Sequence, residues 1–139
     1  MSKYRASKCS LDGYDFDSKL EMSYYCILKD MVKNGEIKGF VLQPVYELQP
    51  KFTKLNKNYR AINYIADFEV ELFNGTKYVV DTKGFQTSDS KLKEKMFNYI
   101  YPNLELKMLG YVAKYGGFLP LDEINKIRRE NKKKKDIAI

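Results

Sequence analysis

Residues 61–72 alternate apolar and polar side chains, and Asn74-Gly75 follows at once, ahead of a second β-rich run over 76–83. Strand side chains repeat with period two, so Ile62, Tyr64, Ala66, Phe68, Val70 and Leu72 share one face. Asn-Gly between two such runs is the strongest short-range signal for a β-hairpin. Two antiparallel strands therefore stand at the centre of this chain, and the rest must pack around them.

The flanking patterns fill in the layers. Leu20, Tyr24, Ile27, Leu28 and Met31 fall at helical spacing after Asp17, and Asn34-Gly35 supplies the stop. Residues 40–49 suit a strand broken by Pro44 and closed by Pro50, which points to an edge or a bulge. A polar loop is expected over 54–58. A second helix, 88–101, turns Leu92, Met96 and Tyr99 inward, carries Lys91, Lys93 and Lys95 around its sides, and stops at Pro102. A short apolar strand covers 104–109. A last helical stretch from Leu121 runs into Arg128, Arg129 and Lys132 to Lys135, expected as a frayed basic tail.

The helix before the 104–109 strand is long enough for a crossover, so that strand should lie parallel to its predecessor. The expected fold is α/β, in the order α-β-β-β-α-β, with a mixed four-stranded sheet flanked by helices. Length supports one domain: of 139 residues, 1–16 read as a basic arm with Lys3, Arg5 and Lys8, 17–120 as the folded domain, and 121–139 as a helix and basic tail.

Charge and composition narrow the function. With 25 Lys and Arg against 18 Asp and Glu, a formal charge of +7 attracts polyanions, nucleic acid first and a membrane surface second. No apolar run approaches the roughly 18 residues of a spanning helix, and the first residues are too polar for a signal peptide, so a cytoplasmic protein is expected. Cys9 and Cys26 stand apart without a partner motif and read as reduced thiols. The absence of histidine excludes Ser/His and Cys/His triads, imidazole zinc sites and nucleases with a histidine base. Catalysis here would have to run on carboxylates, lysine and metal.

Hairpin register brings two acids together. A plain two-residue turn at Asn74-Gly75 would mix polar and apolar residues on both faces. A three-residue loop, 73–75, with Gly75 left-handed in a G1 bulge, pairs Val70 with Tyr78 and Phe68 with Val80, and sets Asp67 opposite Asp81. Cross-strand Cβ atoms lie about 4.5–5.5 Å apart, so two such carboxylates repel unless a cation lies between them. Magnesium takes oxygen ligands of this kind, and Lys83 projects from the same face as Asp81. The blander reading is a pair of solvated acids at a strand end, with Lys83 a surface lysine or the ion-pair partner of either aspartate.

Asp67, thirteen residues, then Asp81-Thr82-Lys83 resembles the signature of the PD-(D/E)XK nucleases: an acid, a variable gap, then acid-x-Lys. The expected order of elements is similar to the core of that family as well. More closely, the chain looks like a group of short phage-encoded proteins with DGYDFDSKLE, LQPVYELQPKF, YIADF and DTKGF as hallmarks, together covering 12–85. Ala66 stands where the family name has its proline.

The resemblance implies a restriction-endonuclease-like core, magnesium (manganese substituting) on Asp67 and Asp81 with the Thr82 carbonyl, and Lys83 beside the scissile phosphate. The family often adds a first-helix glutamate, which would be Glu21. Ser18-Lys19-Leu20-Glu21 is also a capping box, so Glu21 reads equally as a helix cap.

The expectation is a magnesium-dependent DNA endonuclease of phage or prophage origin in a bacterial host, structure-specific in the manner of a Holliday-junction resolvase. Resolving a junction takes two symmetric cuts and therefore a homodimer. Lys91, Lys95, Lys3 and Arg5 are candidate DNA contacts. The alternative is a non-catalytic basic DNA-binding module.

Overall fold

The computed structural model describes residues 8–137. Its first element is a hairpin, β1 (Cys9–Leu11) and β2 (Tyr14–Phe16), where a loose arm was expected. Asp12 and Gly13 both have positive φ, 54° and 82°, which is the type I′ turn that Asp-Gly favours. The Asp12 carboxylate then accepts from the Tyr25 hydroxyl at 2.9 Å and pairs with Lys29, tying the hairpin to the first helix. Lys3 and Arg5 lie outside the described residues.

Helix α1 (Lys19–Lys33) starts and stops as the sequence predicts, with Ser18 as N-cap and Gly35 at φ 74° beyond Asn34. Strands β3 (Gly39–Leu42), β4 (Val45–Gln49), β5 (Phe52–Lys54), β6 (Lys57–Tyr59), β7 (Ile62–Ile65) and β8 (Phe68–Glu71) follow. They form one long antiparallel ribbon: β3 pairs β8, β4 pairs β7 and β5 pairs β6. The expected loop at 54–58 is the tip of that ribbon. Both of its arms break at one level, Gln43-Pro44 against Ala66-Asp67, and two backbone bonds bridge the break: Gln43 N–H to Asp67 O (2.9 Å) and Ala66 N–H to Pro44 O (3.1 Å).

Strand β9 (Lys77–Thr82), helix α2 (Ser88–Ile100), β10 (Glu105–Val112), a 3₁₀ turn (Ala113–Tyr115), β11 (Gly117–Pro120) and α3 (Leu121–Ile137) complete the chain. The main sheet runs β11-β10-β9-β8-β3, five strands instead of four, with β10 parallel to β9 across α2 as predicted and the other pairs antiparallel. The extra strand, β11, ends in Pro120, which an edge strand tolerates. The basic C-terminal segment is helical through Ile137 and not frayed. Ile124 anchors it, buried over Gly110, where the absence of a side chain lets the helix approach the sheet closely.

Two apolar clusters sandwich the sheet. Phe68, Val70, Tyr78 and Val80 pack with Tyr24 and Leu28 of α1, while Val79 packs on the other face with Phe97 of α2, Tyr46, Tyr64 and Ala66. Every β9 residue from Tyr78 to Thr82 is buried as a result, the pattern of a strand covered on both faces. Helix α2 turns Phe97 inward, whereas Leu92 and Tyr99 face outward, contrary to the helical-wheel expectation. The aromatic environment of Tyr46, Tyr64 and Tyr101 around Phe97 fixes that rotation.

Candidate active site

The break in the ribbon and the end of β9 meet at the candidate site. Pairing between β8 and β9 follows the predicted bulged register, Val70 with Tyr78 and Phe68 with Val80, with Gly75 at φ 89°. The ladder stops there, one pair short of the expected Asp67–Asp81 rung. At the bend, the Asp67 Oδ2 atom accepts from both the Thr82 N–H and the Thr82 hydroxyl, each at 2.8 Å. A side chain thus replaces the missing backbone partner of Thr82. The resemblance implied Thr82 only as a carbonyl ligand; its amide and hydroxyl hold Asp67.

Asp81 is 1% exposed, which excludes the reading as a solvated strand-end acid. Its Oδ2 accepts from the Tyr64 hydroxyl at 2.5 Å and lies 3.3 Å from the Lys83 ammonium. The ion pair foreseen for Lys83 is present, and its side chain keeps about a third of its surface open to solvent. Burial, then the Asp81 charge beside it, raises the Tyr64 hydroxyl far above its ordinary pKa, so it stays a donor.

Glu21 reaches the same region from the first turn of α1. Its N–H donates to Ser18 Oγ at 3.1 Å, which is half of the capping box. The carboxylate is buried, and its Oε1 has no hydrogen-bond partner among the described residues. Burial, followed by the Asp17 charge and more weakly that of Asp81, raises its pKa, with the Asp17 backbone and Gln43 acting against them. Asp67 is pushed up further, to about 8, by burial first, then by the charges of Asp81 and Glu21.

Two acids, Glu21 and Asp67, held above their ordinary pKa by burial and neighbouring negative charge, together with a buried oxygen left unpaired, mark a site short of positive charge. Among the described residues no three His, Cys, Asp or Glu side chains close into a ready-made metal cage. Magnesium does not need one, since it is held by one or two carboxylates and keeps several waters. Asp67 and Asp81 fit that donor set, with Glu21 close enough to raise the pKa of Asp67.

Of the candidate DNA contacts, Lys91 and Lys95 are both exposed on α2, and Lys91 lines a cleft with Lys83, Gly84 and Arg128. Sequence reasoning missed Tyr64, whose alternating apolar neighbours mark it only as core. It also missed the two bonds that the Thr82 amide and hydroxyl make to Asp67.

Fold and site together define a mixed α/β protein with a buried aspartate, Asp81, and a half-buried one, Asp67, where its central strands end. The chain belongs to the family described as a protein of unknown function (DUF1064), which matches residues 1–117. Among curated proteins, no match was found. No helix among the described residues is long and apolar enough to cross a membrane.

Proposed function

We propose that this protein is a magnesium-dependent DNA endonuclease with the restriction-endonuclease-like core of the PD-(D/E)XK enzymes. The observation that carries the reading is the pair of half-buried Asp67 and buried Asp81, with Lys83 at 3.3 Å from Asp81 and the Glu21 Oε1 atom left unpaired. The β9-α2-β10 crossover and the acid-x-Lys at the end of β9 are consistent with it.

Bound by Asp67, Asp81 and Glu21, magnesium would neutralise their charge and polarise the scissile phosphate. Thr82 and Tyr64 hold the two aspartates in place by hydrogen bonds, so their oxygens need not reorganise when substrate arrives. Lys83, partly open to solvent, turns from Asp81 towards the phosphate to orient the attacking water or steady the developing charge. A structure-specific role, with two symmetric cuts at a four-way junction by a homodimer, is the substrate reading that suits a small basic chain.

The test is cleavage of labelled duplex, single-stranded, flap and four-way-junction DNA with magnesium, manganese or EDTA, beside Asp81→Ala and Lys83→Ala. Metal-dependent cutting lost in both variants is expected. Binding without cutting on every substrate would leave a DNA-binding module instead.

A further inference from the structure

The ribbon does not end at the core. Beyond β4 and β7, every residue over 49–60 is exposed, so the β5–β6 hairpin projects as an arm. No acid occurs between Glu47 and Asp67, whereas Lys51, Lys54, Lys57 and Arg60 all lie there. Lys54 pairs directly with Lys57 across the strands, and continuing that register sets Lys51 opposite Arg60. Like charges directly opposite each other destabilise a ribbon. None of the four forms an ion pair with another described residue.

The arm is nevertheless built. Phe52 and Tyr59 stack flat at 4.7 Å and 6°, Lys57 lies 5.2 Å from the Tyr59 ring centre, and the Thr53 hydroxyl donates to Asn58 Oδ1 at 2.8 Å. Leu55 and Asn56 make the turn with φ of 49° and 62°, and the Leu55 side chain at the tip is 90% exposed. A leucine with positive φ is uncommon. Repelling cations, an unpartnered apolar tip and a rigid two-stranded frame share one complement, a nucleic-acid groove lined by phosphates.

We infer that the β5–β6 hairpin is a DNA-binding arm that enters a groove of duplex DNA, with Lys51, Lys54, Lys57 and Arg60 on the phosphates and Leu55 against the bases. A two-stranded ribbon fits the roughly 12 Å major groove, and apolar tips wedge against base steps in the minor groove. At about 3.3 Å per residue, the chain from Gln43 to Leu55 spans at most about 40 Å, on the order of one helical turn of DNA. Because the arm springs from the bend that carries Asp67, it would hold duplex within that distance of the site. This inference rests on the DNA reading of the proposed function and adds the surface that grips the substrate.

The experiment is fluorescence anisotropy of a labelled 30-base-pair duplex over a range of NaCl, with calcium in place of magnesium. It compares the wild type, the combined Lys51→Ala, Lys54→Ala, Lys57→Ala and Arg60→Ala variant, and Leu55→Asn, which substitutes a residue that tolerates positive φ. Circular dichroism confirms that each variant folds. The combined variant is expected to flatten the slope of log K against log [NaCl] by about 3.6, since each of four phosphate contacts contributes roughly 0.9. Leu55→Asn weakens binding several-fold at unchanged slope. Wild-type binding with no change of slope in the combined variant overturns the arm and leaves the nuclease reading standing. A wild type that binds no duplex at any salt overturns the arm, and one that also binds no four-way junction overturns the DNA reading with it.

Discussion

The Tyr64 hydroxyl donates to Asp81 Oδ2 across 2.5 Å inside the sheet-α2 layer, making a core tyrosine the anchor of a candidate catalytic acid. Replacing it by phenylalanine removes one oxygen and leaves the ring in place. A hydrogen bond to a buried charged group contributes about 1.5–3 kcal/mol, so Tyr64→Phe is expected to lower the melting temperature of the metal-free protein by roughly 5–10 °C. Calorimetry in EDTA checks this. An unchanged melting temperature would mean that Asp81 does not depend on Tyr64.

The raised pKa of Asp67 makes a second prediction, with the sign fixed by linkage. Its folded value, about 8, lies above the ordinary 3.8, so between those limits the folded state binds more protons than the unfolded state. Metal-free stability therefore falls as pH rises through that window, and the loss is complete above about pH 8. Asp67→Asn keeps an acceptor for Thr82 and abolishes the charge. It is expected to melt higher than wild type in EDTA at pH 8 and to converge with it near pH 4; on the proposed function, magnesium is expected to stabilise the wild type and not this variant. Melting curves across pH, with and without magnesium, provide the check.

How these two residues read in the sequence differs instructively. The β8–β9 register was legible because only the bulged loop separates apolar from polar faces, and Gly75 adopts the left-handed conformation that loop requires. The bend at Asp67 was not. Alternation runs unbroken from Tyr64 to Val70, yet Tyr64 and Ala66 are buried in the α2 cluster while Phe68 and Val70 are buried in the α1 cluster. Period-two patterning reports that a side chain is buried, not which core receives it. Pro44, read as a break in its own strand, was the signal, because the partner strand has to bend at the same level. The N-terminal hairpin was also written in the sequence, in Asp12-Gly13, but three-residue strands are too short to show a period.

Lys83 separates binding from chemistry. With its ammonium at 3.3 Å from Asp81 and its stem partly exposed, it lies beside the acids without supporting the core. Lys83→Ala is expected to reduce the cleavage rate constant by about 10²–10³-fold, the usual cost of losing one group that stabilises developing charge. Duplex affinity measured in calcium should stay within about threefold. A comparable loss of affinity would make Lys83 a backbone contact instead.

On the proposed nuclease reading, Ala66 stands where the PD-(D/E)XK signature has its proline, and the bend explains why this position carries an N–H instead. The Ala66 N–H donates to Pro44 O at 3.1 Å, one of the two backbone bonds that carry the ribbon across its break, and the residue is 1% exposed. Proline has no N–H, so Ala66→Pro would leave the Pro44 carbonyl unpaired and force a ring into packed space beside Tyr46 and Val79. An unpaired buried acceptor costs about 1–3 kcal/mol before any steric term, and the displaced segment carries Asp67. Ala66→Pro should therefore lower the urea midpoint and, at temperatures where the protein is still folded, weaken cleavage as well. Ala66→Gly keeps the N–H, so it should lose stability through its smaller side chain while retaining magnesium-dependent cutting. If the proline variant matched wild type in both respects, the Ala66–Pro44 bond would not be what sets the bend.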